Sequence, residues 1–536
     1  MPRYNGLPGR PSTDDSLTDP ESGTDTRSAS TSTGLSEQCP SSYTSSISST
    51  SNSLGMDGSQ DWSERLERGL SRFALALVPS YLQHLVGGET TAPAELHTIA
   101  ALDGLRGWAC LLVFNFHFLF TYTWKVAVGW GFDEDNFGIH QLPFIHMLVS
   151  GHIMVAIFFV ISGYVLSHKP LRMIRSRNWE RALTTLASST FRRGLRLYIP
   201  SIIGIFIVFL AVRVGVYDYS YRVINEGLTI TGTNEQHPPI LETCTAQFWD
   251  WYYTVVRLMD PWHWELYYNN YNPHLWTIPV EFRSSIVLFI TILATSRLTA
   301  AVRLSLLSCI IYFCARWGRW DVVLFLCGMF MAEVDLINGI WESPSLSSPS
   351  LAEKPNDRGL LGQVMRSYGR AIWILVFIFG LYVGSSPNTG VQFTPGYRWL
   401  ARLTPETYPE PHRFPQTIGA VIIVCSINNS KDIQKLFTNR LSQYLGRISF
   451  AFYIVHGPIL HSLGYSIMPS IWAFTGKETN TQYCMGFLIG WLICLPVCLW
   501  AGDVFWRAVD IPSVKFARWL EDKVTVKGNG GSSAQR

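Results

Sequence analysis

An arginine and a histidine occur at a spacing suited to catalysis in the first long apolar stretch of the chain. Arg106 and His117 are eleven positions apart, which at about 100° per residue places both side chains on one helical face. The same spacing separates them by about 16 Å along the helix axis. In a bilayer with a hydrocarbon core about 30 Å thick, Arg106 would lie near one surface and His117 near mid-depth. The pair predicts a fixed cation at the rim and a titratable general base inside the membrane.

A carboxylate lies inside a later apolar stretch, at Glu281. An unpaired carboxylate in apolar surroundings becomes protonated, so Glu281 needs a cation or a histidine as partner. It could orient and charge-stabilise His117, as carboxylates do in catalytic triads, or it could pair with Arg283 or another basic residue. His117 could itself be a structural residue, hydrogen-bonded between helices.

Three arginines precede the third apolar stretch: Arg192, Arg193 and Arg196. Arginine binds phosphate through bidentate, charge-assisted hydrogen bonds, so these residues and Arg106 predict a phosphate-binding cradle. Membrane topology is the other explanation, because basic residues stay on the cytoplasmic side. His456, in the ninth apolar stretch, is either a structural residue or a substrate contact.

The composition favours a polytopic membrane protein. Of 536 residues, 15% are charged and 48% are hydrophobic, whereas soluble proteins carry about a quarter charged residues. The net charge of +3 gives no support for nucleic-acid binding. The ten cysteines form no CxxC pair and no cluster with metal-ligand spacing, so we expect no metal and no permanently bound cofactor. A disulfide between Cys244 and Cys484 remains open.

Four regions follow from the composition along the chain. Residues 1–60 are rich in Ser and Thr and poor in large apolar residues, which predicts a disordered cytoplasmic tail. Residues 62–97 contain an amphipathic surface helix, at 62–86, and a linker. Residues 98–515 form a membrane domain, and residues 516–536 form a cytoplasmic C-terminal tail.

Ten apolar stretches predict an all-α membrane protein with a bundle of about ten transmembrane helices. They lie near residues 105–124, 146–168, 195–216, 275–296, 302–317, 320–338, 371–386, 415–427, 447–468 and 484–506. Lys and Arg concentrate in alternate connections, which places both termini in the cytoplasm. The long connection 217–274 then lies on the far side, and its aromatic runs predict a surface or re-entrant helix. Ser162-Gly163-Tyr164 predicts close helix packing.

Short motifs, taken in this order, resemble the acyltransferase 3 family of integral membrane O-acyltransferases. They are Leu102 to Gly107 with His117, Phe158 to Tyr164, Arg192-Arg193 to Pro200, Leu275 to Glu281, Gly328 to Phe330, and Leu445 to Ser449 with Tyr453 and His456. Each motif is weak alone, whereas the ordered set from about residue 98 to 515 is specific. Pro279 and Phe282-Arg283 depart from the family pattern, so we expect a different acceptor pocket.

The resemblance implies ten membrane helices and transfer of an acyl group, often acetyl, from a cytoplasmic acyl-CoA to a hydroxyl group. Together, the residues and the resemblance assign His117 and Glu281 to catalysis, Arg106, Arg192, Arg193 and Arg196 to acyl-CoA, and Trp276, Tyr453 and His456 to the substrate. Acyl-CoA is then a co-substrate, with the lipid bilayer as surroundings and no nucleic-acid partner.

The acceptor that we favour is a hydroxylated small molecule such as a terpenoid, polyketide or sugar-bearing metabolite. A fungal-type enzyme of secondary metabolism in the endoplasmic reticulum or another endomembrane fits this expectation. Two alternatives stay open: a multi-pass transporter or sensor without acyl transfer, and an acyltransferase acting on a lipid or glycan.

Overall fold

A computed structural model describes residues 77–80, 82–83, 99–227, 229–233, 235–339, 360–408 and 410–526. For residues 360–367 it describes the backbone alone. The predicted disordered tail, residues 1–60, lies outside the described residues. Most of the predicted surface helix and linker, residues 62–97, lies outside them as well.

The described residues form helices and no strand, which confirms the predicted all-α class. In chain order the α-helices are α1 (Ala100–Phe120), α2 (Gly151–Arg175), α3 (Trp179–Arg213), α4 (Asp218–Glu226), α5 (Cys244–Leu258), α6 (Thr277–Thr295), α7 (Ala300–Arg316), α8 (Trp320–Ile337), α9 (Leu360–Gly384), α10 (Arg398–Leu403), α11 (Arg413–Asn429), α12 (Lys431–Phe437), α13 (Arg440–Ile459), α14 (Tyr465–Thr475), α15 (Asn480–Phe505) and α16 (Ile511–Val524). Two π-helical turns, Leu460–Gly464 and Trp506–Asp510, continue α13 into α14 and α15 into α16.

Each of the ten predicted stretches coincides with a helix, and four helical segments are long and apolar enough to cross a membrane. These segments are Gly151–Arg175, Trp179–Arg213, Pro273–Thr295 and Asn480–Val524. Helices α1 and α13 are not among them, because polar and charged residues such as Arg106, His117 and Arg447 lower their mean hydropathy. Membrane crossing by all ten helices therefore stays a prediction.

Helix α2 packs closely against α8 at a glycine. A Cβ atom on Gly163 would overlap the backbone of Phe325, so only glycine allows this approach. The rings of Phe159 and Phe325 also meet edge to face, with centroids 5.4 Å apart. The prediction of close helix packing at this position is confirmed.

Helix α1 packs along α13, and this contact aligns the polar residues of both helices. Trp108 Nε1 donates a hydrogen bond to Ser442 Oγ at 2.8 Å. Polar residues of these and neighbouring helices lie at two levels of the bundle, the arginine end and the histidine end. The arginine end holds Arg106, Arg193, Arg196 and Arg447, and the histidine end holds His117, His274, His456 and His461.

A π-helical turn brings two histidines of one continuous helix to the same neighbour. His461 follows His456 by five positions, which in a regular α-helix would place them about 140° apart. The π turn accommodates more residues than an α turn. As a result both rings contact His274, with centroids 4.8 Å and 5.7 Å away.

The connection between α3 and α6 contains the surface helix that its aromatic runs predict. This helix is α5, and its Trp249 and Tyr253 are 50% and 62% exposed. Cys244 and Cys484 are free thiols, so the disulfide that the sequence left open does not form. At the C-terminal end, residue 516 lies within α16.

Candidate active site

Two cavities adjoin each other inside the bundle. The histidine cavity, of about 330 Å³, is lined by His117, Glu235 and His274 among others. The arginine cavity, of about 230 Å³, lies towards the arginine end. Val155 and Tyr453 line both cavities, so the two cavities share a wall.

The carboxylate that contacts His117 is Glu235. His117 Nδ1 lies 3.0 Å from Glu235 Oε1, and the two side chains are 16% and 11% exposed. Glu235 belongs to the segment between α4 and α5, which contributes Thr233 and Gln236 to the cavity wall as well. Because a carboxylate only accepts hydrogen bonds, Nδ1 of His117 carries the proton and Nε2 keeps its lone pair. That tautomer is the one a general base requires.

The second oxygen of Glu235 meets two more histidines. Glu235 Oε2 lies 3.1 Å from His274 Nε2 and 2.9 Å from His461 Nε2. The rings of His117 and His274 are also in contact, with centroids 3.8 Å apart. Burial alone would raise the pKa of Glu235, but the neighbouring His274 and His117 hold it well below its ordinary value. The carboxylate is therefore ionised at neutral pH.

Glu281 lines the arginine cavity and pairs with a cation there. Its Oε1 lies 2.6 Å from Arg193 Nη2 and accepts a hydrogen bond from Ser162 Oγ at 3.1 Å. The prediction that Glu281 orients His117 is therefore wrong. The alternative, pairing with a basic residue, is what the structure has, although the partner is Arg193 and not Arg283. Glu281 lies one turn inside α6, far enough from its first residue to face the arginine end.

Four arginines line the arginine cavity. They are Arg106, Arg193 and Arg196, as predicted, and Arg447, which the sequence interpretation missed. Arg192 points away and lies 3.1 Å from Glu521 of α16, so the structure separates it from the predicted cradle. The acids that line the same cavity are Glu281 and Asp510. Four cations against two anions give this cavity a net positive charge.

The three residues predicted to contact substrate occupy two different positions. Trp276 and Tyr453 line the histidine cavity. The Tyr453 hydroxyl lies 2.7 Å from Thr277 Oγ1 and donates to the His274 carbonyl oxygen, which fixes the ring at the boundary between the cavities. His456 is fully buried and contacts His274 from behind. It therefore lies outside the cavity lining.

A comparison of this chain with protein families decides what kind of protein carries these cavities. An acyltransferase domain of the acyltransferase 3 type matches residues 99–507. This chain belongs to the acyltransferase 3 family. Membership makes it a membrane enzyme that transfers acyl groups other than aminoacyl groups.

Known fungal members of the acyltransferase 3 family resemble the chain over most of its length. It is 31% identical to O-acetyltransferase PaAT-1 of Phomopsis amygdali over 463 residues, which cover 84% of this chain and 88% of that protein. It is 25% identical to acyltransferase clz18 of Cochliobolus lunatus, over 80% of this chain and 97% of that protein. It is 26% identical to acyltransferase R4 of a Phoma species, over 79% and 96%. No solved structure matches the chain.

The sequence of this acyltransferase 3 domain contains no pattern that marks Glu235 as a functional residue. The residue lies in an irregular segment that carries no apolar periodicity, and Glu226 and Glu242 flank it as equally plausible acids. His274 and His461 offered a weak signal, because His274 directly precedes the apolar stretch 275–296 and His461 lies within the apolar stretch 447–468. Only the folded chain shows that both meet the same carboxylate.

Gly457 allows α13 to approach His274 in this acyltransferase. A Cβ atom there would overlap His274 Nδ1 and lie 2.9 Å from Asn272 Oδ1. We expect Gly457→Ala to displace His274 from Glu235 and to lower kcat by about 10²-fold, the usual cost of a small misplacement at a site. The control is Gly369→Ala, because open space surrounds that position. Equal turnover by the two variants would show that the position of His274 does not matter.

Proposed function

We propose that this enzyme transfers an acyl group, with acetyl as the favoured one, from acyl-CoA to a hydroxyl group of a small molecule. The observation that carries the proposal is the pair formed by His117 and Glu235 in the histidine cavity. A cationic cavity adjoins this pair on one side, and aromatic walls surround it on the other. An anionic donor and an apolar acceptor would therefore meet at His117.

The arginine cavity supports a coenzyme A thioester as the donor. Coenzyme A carries several phosphate groups, which arginine holds by charge-assisted hydrogen bonds. Arg193 and Arg106 already have acidic neighbours, at 2.6 Å from Glu281 and 3.2 Å from Asp103. Within the described residues, Arg196 and Arg447 form no ion pair, so we assign the phosphates chiefly to these two. The acyl end then points towards Tyr453 and His117.

The charge distribution supports a cytoplasmic arginine end. Basic residues concentrate around the connection between α2 and α3 and continue along α3 to Arg193 and Arg196 of the arginine cavity, and such residues stay on the cytoplasmic side. Helix α1 begins at this end, and Glu521 of α16 contacts Arg192 there. Both features support cytoplasmic termini and an acyl-CoA supply from the cytoplasm. We propose the endoplasmic reticulum or another endomembrane as the location.

The histidine cavity supports an apolar hydroxylated acceptor. Its wall is more apolar than polar and includes the aromatic residues Phe116, Phe120, Tyr268 and Trp276, and its polar groups include His117, Glu235 and His274. Small-molecule sites have this character, whereas a glycan needs many hydrogen-bond partners. The similarity to a protein named as an O-acetyltransferase supports acetyl as the transferred group. We therefore propose a secondary metabolite such as a terpenoid or polyketide alcohol as the acceptor.

The chemistry follows from the tautomer of His117. Its Nε2 takes the proton of the acceptor hydroxyl, whose oxygen attacks the carbonyl carbon of the thioester. The C–S bond then breaks, and the thiolate of coenzyme A takes the proton from the imidazolium to leave as a thiol. Glu235 stays ionised throughout and stabilises the imidazolium, as the carboxylate of a catalytic triad does.

The experiment that tests the proposal is thiol release from acetyl-CoA by the purified enzyme. We expect release to require an added terpenoid or polyketide alcohol and to yield its acetyl ester. Acceleration by a lipid alcohol or a glycan alone would overturn the acceptor class. Absence of thiol release with every acceptor, together with transfer from another acyl donor, would overturn acyl-CoA as the donor.

The donor cavity makes a separate prediction about substrate affinity. We expect Arg447→Gln and Arg196→Gln each to raise the KM for acetyl-CoA about tenfold or more, because a charge-assisted hydrogen bond is worth about 1.5–3 kcal/mol. The KM for the acceptor should stay within about twofold in this scheme. Arg370→Gln is the control, since this arginine is 69% exposed and, among the described residues, has Asp432 as its sole ion-pair partner. Equal effects on both substrates would contradict a donor role.

A further inference from the structure

One carboxylate oxygen and two imidazole nitrogens converge beside the histidine cavity. Glu235 Oε2 lies 3.1 Å from His274 Nε2 and 2.9 Å from His461 Nε2, and one donor atom from each residue lies within 4.8 Å of the other two. The side chains of His274 and His461 are 2% and 3% exposed. Ligand atoms around a tetrahedral zinc ion, at about 2.0–2.2 Å from the metal, have separations close to these.

We propose that Glu235, His274 and His461 bind a zinc ion. Two histidines and one carboxylate form a ligand set that catalytic zinc sites use, with the fourth position left open. Glu235 and His274 line the histidine cavity, whereas His461 lies behind them, so the open position faces the cavity. A second group, His117 with His274 and His456, lies within the same distance, but it has no anionic ligand and would consume the base.

The hydrogen bonding of His274 provides an independent observation. Within the described residues, His274 Nδ1 and Asn272 Oδ1 are both buried and lack a hydrogen-bond partner, and both lie against Gly457. Asn272 Nδ2 donates to the Ile454 carbonyl oxygen at 2.8 Å, which fixes the orientation of the amide. Asn272 therefore presents an acceptor to the neighbourhood of His274 Nδ1.

The Asn272 oxygen favours a zinc ion at His274 Nε2 over a hydrogen bond from that nitrogen to Glu235. If neutral His274 donated from Nε2 to Glu235, its Nδ1 would carry a lone pair beside the oxygen of Asn272. If Nε2 binds zinc, Nδ1 carries the proton and finds an acceptor nearby. Histidine ligands of metals usually donate their other N–H to such an oxygen, which fixes the tautomer.

The use of the zinc ion rests on the proposed function. Attack on the thioester places negative charge on the carbonyl oxygen, and a Lewis acid at the open position would stabilise that charge. Glu235 can serve both sites, because Oε2 faces the zinc position and Oε1 faces His117 at 3.0 Å. The ion would thus polarise the acyl carbonyl while His117 removes the proton of the acceptor.

The test is the zinc content of the purified full-length enzyme. Wild type, His461→Gln and the control His263→Gln are equilibrated with zinc chloride, desalted and measured by elemental analysis. The control histidine is 51% exposed and pairs with Glu265. We expect about one zinc per chain in wild type and control, and at least about tenfold weaker zinc binding in His461→Gln.

A second measurement keeps the test valid if His461→Gln is less stable. Zinc that binds only the folded enzyme raises the Tm, so the Tm of wild type and His263→Gln should rise with zinc concentration and that of His461→Gln should not. Wild type that retains no more zinc than His461→Gln, with no shift in Tm, would overturn the proposal.

The two proposals fail in different ways. Loss of thiol release on chelation, with recovery on adding zinc, supports the catalytic use of the ion. Full thiol release by an enzyme that binds no zinc overturns the zinc site and leaves acyl transfer in place. Zinc binding without thiol release for any acceptor leaves the metal site in place and overturns the proposed function.

Discussion

Replacing His117 with glutamine should lower kcat for acyl transfer by about 10²–10⁴-fold, the usual contribution of a general base. Glutamine is the sharpest substitution, because its amide N–H can still donate to Glu235 in place of Nδ1. Alanine would instead leave a buried carboxylate with one donor fewer, which adds a folding cost to the catalytic loss. Glutamine thus removes the base at Nε2 and keeps the hydrogen bond that holds Glu235.

The measurement is the rate of thiol release from acetyl-CoA at saturating acceptor, normalised to folded enzyme. His263→Gln carries the same substitution at an exposed position outside both cavities, and it should turn over like wild type. An unchanged Tm in His117→Gln would assign the loss to chemistry. If His117→Gln kept wild-type turnover, another group would have to remove the proton of the acceptor.

The helices could be predicted because long apolar stretches are visible in a sequence without any tertiary information. The spacing of Arg106 and His117 was informative for the same reason, since the geometry of a regular helix fixes which residues share a face. The two residues do line adjoining cavities in the interior of the bundle. Arg447, within the motif Leu445 to Ser449, was not assigned to acyl-CoA, because the sequence does not show how α13 packs against the helices that carry the other arginines.

The cluster around Glu235, the partner of His117, could not be predicted, because an irregular segment and a π-helical turn bring its residues together. Glu235 lies in a segment without helix or strand, whose path depends on the tertiary contacts around it. His461 reaches the same carboxylate through a π-helical turn, which changes the face that a residue presents without any change in composition. Glu281 was the better guess from sequence, since an acid inside an apolar helix is costly without a partner. Its partner proved to be Arg193.

After His117→Gln, the largest loss of kcat is expected from a change at Glu235, and Glu281 provides the contrast. Glu235→Gln should lower kcat by about 10²–10⁴-fold, since the neutral amide cannot stabilise the imidazolium and can hold His117 in the wrong tautomer. Glu281→Gln should leave kcat within about threefold and lower the KM for acetyl-CoA, because it removes a negative charge from the donor cavity and frees Arg193 for the phosphates. Steady-state kinetics with both substrates varied measures the two effects separately.

Comparing the kcat of Glu235→Gln with that of Glu281→Gln shows which of the two carboxylates supports His117 during turnover. Glu242→Gln removes a charge from the same connection as Glu235 at an exposed position, so it controls for electrostatic changes in that segment and should be neutral. If Glu281→Gln carried the kcat loss and Glu235→Gln did not, Glu281 would have to move from Arg193 to His117 during turnover. If the losses follow Glu235, the segment between α4 and α5 supplies a positioning residue for the base and is part of the active site.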